Sequence, residues 1–494
     1  MKRSVVLLGV AVLLMGSAHA SDDPVARAMK LYEKHRYEDA ARDLRREVSS
    51  LGAAKQAAAH LALGMIYLKS AELHRELHQA AVAVSIDYLR RLSGDRGKSR
   101  SRLSDLYYGE ALLEGGRADA AVRPLEKFLA SGAPGPRHQS LAKIDLGLAF
   151  YLTGEQQKAR EIWSALDTRD PEVKVKLAAV YSRTGVSDEN PPAVCDEAIA
   201  DLKKAGPELR AQAVGGALGV YARAGQFEKG LELLKRTDPG SFADRETIGK
   251  SKIISFYDPS LLSGLSALYL RASLASLEKA AADPQLRSTA SYYLGEAHAL
   301  AGNIDQSLKT TAVFLSSPQA PPLYKNRAMV RQAANRHQKG QQTDAYGTWS
   351  DLAQKQHGDP DVLAEILFTC GRLGIDCPRI ANDSLAAAEK GEGKRFSVLQ
   401  VGLGRYYQSK KDFAKAITFL EAGRDKGNKN KIESNDPLML VSLSDAYYRS
   451  KKFSEALEIY FEMSKQFPQV RQIQEAMQGV YSMEHKSAGD VKIN

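Results

Sequence analysis

Two histidines stand four apart in His74-Arg75-Glu76-Leu77-His78, a spacing that puts both imidazoles on one face of a helix and within reach of a single metal ion. The zinc-protease form of that motif needs a glutamate directly after the first histidine, where this chain has Arg75, and no third ligand is identifiable along the sequence. The pair therefore reads as two histidines on an exposed helix surface, and no metal is expected. Cys370 and Cys377 are a second pair with chemistry in it. In an oxidising compartment they could bridge the end of one helix to the start of its partner across the Gly371 to Asp376 turn; the alternative is two buried thiols. Cys195 is left over as an expected core residue, and the chain has neither a Cys-x-x-Cys redox motif nor a Cys-x-x-Cys-His haem site. Gly402-Leu403-Gly404 falls inside a helical pattern rather than at a strand-to-helix turn, so it reads as close helix packing and not as a phosphate cradle. No nucleophile elbow or paired-carboxylate signature accompanies these groups, and neither catalysis nor a cofactor is expected.

Charge offers one further candidate. Arg90, Arg91, Arg96, Lys98, Arg100 and Arg102 place six cations within thirteen residues, opposed only by Asp95. Such a run could dock an anionic polysaccharide or a membrane surface through contacts that salt would screen; the plain reading is a solvated loop. The chain as a whole carries a formal +10. Its first residues form a signal-peptide pattern: Lys2 and Arg3, an apolar run from Val5 to Met15, then Ala18-His19-Ala20 with cleavage expected between Ala20 and Ser21. Removing it leaves (69 − 2) − 59 = +8, a modest surplus for a chain of this length, and export argues against a nucleic-acid partner. No cysteine for a lipid anchor lies near the cleavage site, and no later unbroken apolar run suggests a transmembrane segment. A periplasmic protein is expected, with release beyond the outer membrane as the other outcome of export.

The elements that carry these residues are helices. Apolar residues recur at three- and four-residue spacing nearly throughout, with no convincing period-two alternation. One pattern then repeats. Leu403-Gly404-x-x-Tyr407 is followed by Phe413, Ala416 and Leu420, and Leu443-Ser444-x-x-Tyr447 by Phe453, Ala456, Tyr460 and the stop at Pro468. Looser copies begin at Leu63-Gly64-x-x-Tyr67, Tyr108-Gly109-x-x-Leu112, Leu146-Gly147-x-x-Phe150, Leu177-Ala178-x-x-Tyr181 and Tyr293-Leu294-Gly295. A small residue in the first helix and an alanine in the second let two antiparallel helices approach closely.

On these residues the chain resembles the tetratricopeptide repeat (TPR) family. The resemblance implies an all-α, right-handed superhelical solenoid of antiparallel helix hairpins, about eleven or twelve of them, doing non-catalytic binding work. The expected organisation is a signal peptide (1–20), an N-terminal half-solenoid (21–240), an irregular connection (241–260) where Pro239-Gly240, Gly249 and Asp258-Pro259 break the pattern, a C-terminal half-solenoid with a capping helix (261–485), and a disordered tail (486–494). The second hairpin, from Leu63 to Leu92, is expected to have an unusually long second helix.

In the family, first-helix residues three before and one after the small residue face a concave groove. Here these are Leu61, Met65, Leu106, Glu110, Ile144, Leu148, Tyr292, Glu296, Val401, Arg405, Val441 and Asp445. They lack the Lys and Asn clamp with which chaperone-binding members grip a terminal carboxylate. An apolar floor with scattered charges suits a protein segment instead; the alternative is that the apolar members are inter-repeat core. The resemblance and the signal pattern together imply a periplasmic scaffold for protein partners of the cell envelope, as in secretion, pilus or polysaccharide export. A chaperone-like binder of exported polypeptides is the second reading.

Overall fold

The computed structural model describes residues 23–94, 103–132, 135–186, 190–205, 211–237, 244–246, 254–256, 259–318, 320–355, 359–390, 394–424, 436–465 and scattered positions from 467 to 481. The signal-peptide pattern and the basic residues Arg96 to Arg102 lie outside them. The helices run α1 (Pro24–Glu33), α2 (Tyr37–Glu47), α3 (Ala53–Gly94), α4 (Leu103–Glu114), α5 (Ala118–Ala130), α6 (Pro136–Leu152), α7 (Gln156–Ser164), α8 (Pro171–Thr184), α9 (Pro191–Ala205), α10 (Ala211–Arg223) and α11 (Phe227–Arg236). After a short ribbon come α12 (Pro259–Ala281), α13 (Arg287–Leu300), α14 (Ile304–Leu315), α15 (Pro322–Gln338), α16 (Gln342–Lys355), α17 (Pro360–Leu373), α18 (Pro378–Lys390), α19 (Lys394–Ser409), α20 (Phe413–Gly423), α21 (Pro437–Arg449) and α22 (Phe453–Ser464). The fold is an all-α stack of TPR-like hairpins. Among the described residues there are ten hairpins, against the expected eleven or twelve, because α3 and α12 are long single helices.

Helix ends follow from local chemistry. Asp170, Asp359 and Asp436 each precede a proline at the first helical position and accept hydrogen bonds from the backbone N–H groups just beyond it. The tight turns between paired helices need a left-handed residue. Gly154 supplies it in one hairpin (φ 98°), whereas Lys411 (φ 61°) and Lys451 (φ 62°) take the same conformation with a side chain attached.

Two tryptophans show how the hairpins close. A Cβ on Gly147 of α6 would stand 2.3 Å from Trp163 Nε1, so only glycine leaves room for the indole of α7. Trp163 Nε1 donates to the Ile144 carbonyl at 3.1 Å, and Trp349 Nε1 donates to the Val330 carbonyl at the same distance. Both bonds span nineteen residues, which marks equivalent positions in two hairpins.

The stretch from Leu63 to Leu92 departs from the expected second hairpin. It is part of one uninterrupted helix of 42 residues. No glycine or proline interrupts the run between Met65 and Ser93, which is compatible with one continuous helix. Gly64 keeps its packing role with a different partner. A Cβ there would meet Leu277 Cγ of α12 at 2.5 Å, and Ser273 Oγ donates to the Gly64 carbonyl at 2.8 Å across 209 residues.

The chain divides into two compact units, each discontinuous in sequence: Met1–Glu72 with Ala272–Ala456, and Leu73–Arg271 with Leu457–Asn494. The first has a core around Trp349, Leu363, Leu367 and Leu403; the second has one around Leu125, Phe128, Leu146 and Trp163. In the second, α12 crosses α10 with glycine on both sides: a Cβ on Gly264 would lie 2.3 Å from the Gly215 carbonyl oxygen. By length and composition α12 could also cross a membrane, yet 61% of its apolar window is buried in the fold. Within the expected irregular connection, β1 (Asp244–Glu246) and β2 (Ile254–Phe256) pair antiparallel, with Arg245 opposite Ser255. Val470, Ile473, Met477 and Val480, on the segment expected to cap the last repeat, are buried.

Candidate partner-binding face

The apolar positions assigned to the groove are spent on packing. Leu61, Met65, Leu106, Ile144, Leu148, Tyr292, Val401 and Val441 are all buried, as the inter-repeat-core alternative requires. The four polar positions do something the sequence did not foretell: each reaches another first helix, and Glu110 reaches past α6 to α8 and α10. Glu110 accepts from Lys176 Nζ at 2.8 Å and from Gln212 Nε2. Glu296 pairs with Arg331 Nη1 at 3.2 Å, the Arg405 guanidinium lies 5.7 Å over the Phe368 ring, and Asp445 accepts from Gln408 Nε2 at 2.6 Å. These contacts set the register of one repeat on the next.

In the first unit they form a continuous line. The Tyr292 ring on α13 meets Tyr324 of α15 edge-on at 4.9 Å, with Arg331 stacked over it at 4.7 Å. Arg327, one turn before Arg331, approaches Glu365 of α17 at 3.6 Å, and Phe368, one turn further along α17, lies beneath Arg405 of α19. The Arg327 and Glu365 side chains are about a third exposed, whereas Arg331 is 6% exposed. The line thus has a rigid floor and an accessible edge of arginine, glutamate and aromatic groups. Burial, with a smaller push from Glu296, holds the Tyr292 phenol protonated well above the usual tyrosine range.

The second unit has a tighter node. Lys176 of α8 donates to Glu110 of α4 at 2.8 Å and to Asp145 of α6 at 2.7 Å, and the three side chains are between 4% and 11% exposed. Burial pushes the Asp145 carboxyl up to about 7, opposed by Lys176 and reinforced by Glu110. Although burial alone would discharge it, Lys176 is held firmly in its charged form by the same two carboxylates. One ammonium therefore serves two buried acids.

The histidine pair is not an exposed surface feature. His74 is 1% exposed and packs on Tyr269 with ring centroids 5.3 Å apart, while His78 Nε2 lies 3.2 Å from Glu114 of α4. The correction has a simple cause: this stretch of α3 packs on Tyr269 and on Glu114 of α4, so the face that carries both histidines is covered while Arg75 and Gln79 stay exposed. Among the described residues no group of three or more His, Cys, Asp or Glu side chains is placed to hold a metal ion. Cys370 and Cys377 are joined in a disulfide, Cα atoms 6.4 Å apart, closing the turn from α17 to α18. Asp376 in that turn accepts from Tyr406 Oη at 2.9 Å and pairs with Lys410 at 3.0 Å, so the bridged loop is fastened to α19 and its following turn. Cys195 is buried, and burial raises its thiol to about 12. Of the basic run, Arg90 pairs with Asp87 of its own helix at 3.2 Å, and Arg91 is partly buried.

Sequence reasoning missed Lys176, Asp145, Arg327, Arg331 and Phe368. Their partners lie 31 to 66 residues away for Lys176, beyond any local pattern. No protein-family model matches the chain, and no curated protein sequence does. Among solved structures, the APC/C Cut9–Hcn1 hetero-tetramer is similar at 12% identity and TM-score 0.28, covering 96% of this chain and 99% of that one. Yeast Tom70 is similar at 13% identity and TM-score 0.31, covering 94% of this chain and 95% of that one. Likeness this remote carries nothing about partners. What the helices themselves define is a TPR-like hairpin protein whose first helices are stapled by charged and aromatic side chains.

Proposed function

We propose that the chain is a non-catalytic scaffold that holds protein partners, exported to the periplasm and working in the assembly of an envelope machine such as one for secretion, pilus formation or polysaccharide export. The observation that carries the binding role is the line from Tyr292 through Tyr324, Arg327 and Phe368 to Arg405. Tyrosine and arginine over a rigid apolar floor are the residues that dominate protein interfaces, because they bury much area at little conformational cost. The disulfide is in keeping with an oxidising compartment, and so is the signal-peptide pattern.

The test is photocrosslinking in intact cells, with the crosslinker placed at Arg327, at Arg405 and, as control, at exposed Lys309 on α14. A scaffold gives the same few adducts from Arg327 and Arg405 and none of them from Lys309. Adducts identical at all three sites would refute the face. Many weak adducts confined to Arg327 and Arg405 would keep the face and replace the scaffold by a chaperone. Fractionation of the same cells tests the compartment separately.

A further inference from the structure

The node in the second unit is short of one positive charge. Glu110 and Asp145 come from two different first helices, α4 and α6, and both are satisfied by the single Lys176 of α8. Glu110 has a second donor in Gln212 of α10, whereas Asp145 accepts from Lys176. The remaining charges nearby are engaged elsewhere. Glu114 of α4, which also acts on Asp145, is held by His78 of α3 and faces Arg183 of α8 at 3.8 Å. On the helices packed against the other side of α6, Lys127 of α5 turns to Asp105, Lys158 of α7 lies over the Phe150 ring, and Glu161 accepts from Gln157. Among the described residues, none of these groups supplies a second cation to the two acids.

We propose that Glu110, Asp145 and Lys176 form a proton-operated clasp: with one proton shared on the acids it holds α4, α6 and α8 together, and on losing that proton it loosens the seam. The neutral form has one ammonium, one carboxylate and one carboxylic acid, each hydrogen-bonded. The ionised form leaves two buried carboxylates competing for one ammonium, and their repulsion falls across the α4 and α6 interface. Asp145 is the acid that takes the proton: it is the more deeply buried of the two, and burial pushes its carboxyl up.

The sign follows from linkage. Asp145 binds its proton more tightly in the folded chain, near 7, than in the unfolded chain, near 3.8. The stabilisation is therefore complete below the unfolded value, and it is lost as pH rises through the folded one. The groups whose carboxyls are held low, such as Asp39 and Glu114, lose their contribution only at more acid pH.

Hydrogen exchange read by mass spectrometry on the full-length protein, corrected for intrinsic exchange rates, tests this between pH 5 and 8. Protection of peptides from α4, α6 and α8 is expected to fall by up to about tenfold per pH unit approaching pH 7 and then level off. Asp145→Asn should remove the slope, and so should Glu110→Gln, which leaves a matched lysine–aspartate pair. His78→Gln should retain it. A flat wild-type profile, or a slope that survives both acid substitutions, would overturn the proposal; loss of the slope in His78→Gln would assign it to the histidine and overturn it equally.

Discussion

Gly404 offers the sharpest test of the hairpin geometry. It lies mid-way along α19, and a Cβ built on it would stand 2.6 Å from Leu420 Cγ, 2.9 Å from Leu420 Cδ2 and 3.1 Å from the Ala416 carbonyl oxygen. Leu420 and Ala416 are fully buried, so the side chain has nowhere to swing, and the carbonyl belongs to the backbone of α20. Alanine would gain about 1 kcal/mol of helix propensity and lose about 1–3 kcal/mol to overpacking. Gly404→Ala should therefore be neutral to about 2 kcal/mol destabilising, and Gly404→Leu, with three more carbons to place, should cost about 3 kcal/mol or more. At about 2–4 °C per kcal/mol for a unit of this size, the leucine variant should melt roughly 6–12 °C lower. Gly347 is the internal control: it is also helical, but nothing lies within 4 Å of its added Cβ, so Gly347→Ala should stabilise by up to about 1 kcal/mol. Calorimetry gives the melting temperatures, and limited proteolysis shows whether α19 and α20 open first. Unchanged melting of Gly404→Leu, or equal losses at Gly404 and Gly347, would mean that the helix register is wrong.

Three other outcomes are expected. Gly264→Ala should be worse than Gly404→Ala, because its Cβ meets the Gly215 backbone and not a movable side chain; denaturant midpoints of the two variants compare them directly. Lys411→Gly and Lys451→Gly should each raise stability by about 1 kcal/mol in thermal melts, since both lysines occupy left-handed turn positions that favour glycine. Reducing the Cys370–Cys377 bridge should lower the melting temperature by the equivalent of about 2–3 kcal/mol and raise exchange in the 371–376 turn, while Cys370→Ser in reducing buffer should melt like the reduced wild type.

The hairpins were legible where the packing is local. Gly404 meets Leu420 sixteen residues on, within the reach of a repeat pattern, and Gly147 meets Trp163 in the same way. Gly64 carried the same local signature and was misread. Gly64 does serve close packing, but against Leu277 of α12, 213 residues on, where no repeat pattern reaches. The histidines failed for a related reason: their spacing predicts a shared helix face correctly, whereas what covers that face is set by Tyr269 and Glu114, far along the chain. The polar groove positions were found by register, yet Glu110 and Glu296 turned out to be spoken for by Lys176 and Arg331. Charge pairing between repeats has no period that a single sequence reveals.

The two buried indoles have a practical consequence. The chain holds only two tryptophans, and they fall one in each unit, Trp163 in the second and Trp349 in the first, each donating to a backbone carbonyl in its own hairpin. Their intrinsic emission is thus a pair of natural reporters. With Trp349→Phe the remaining fluorescence watches one unit alone, and with Trp163→Phe it watches the other, so the order in which the two halves of the molecule come apart can be read without attaching a dye.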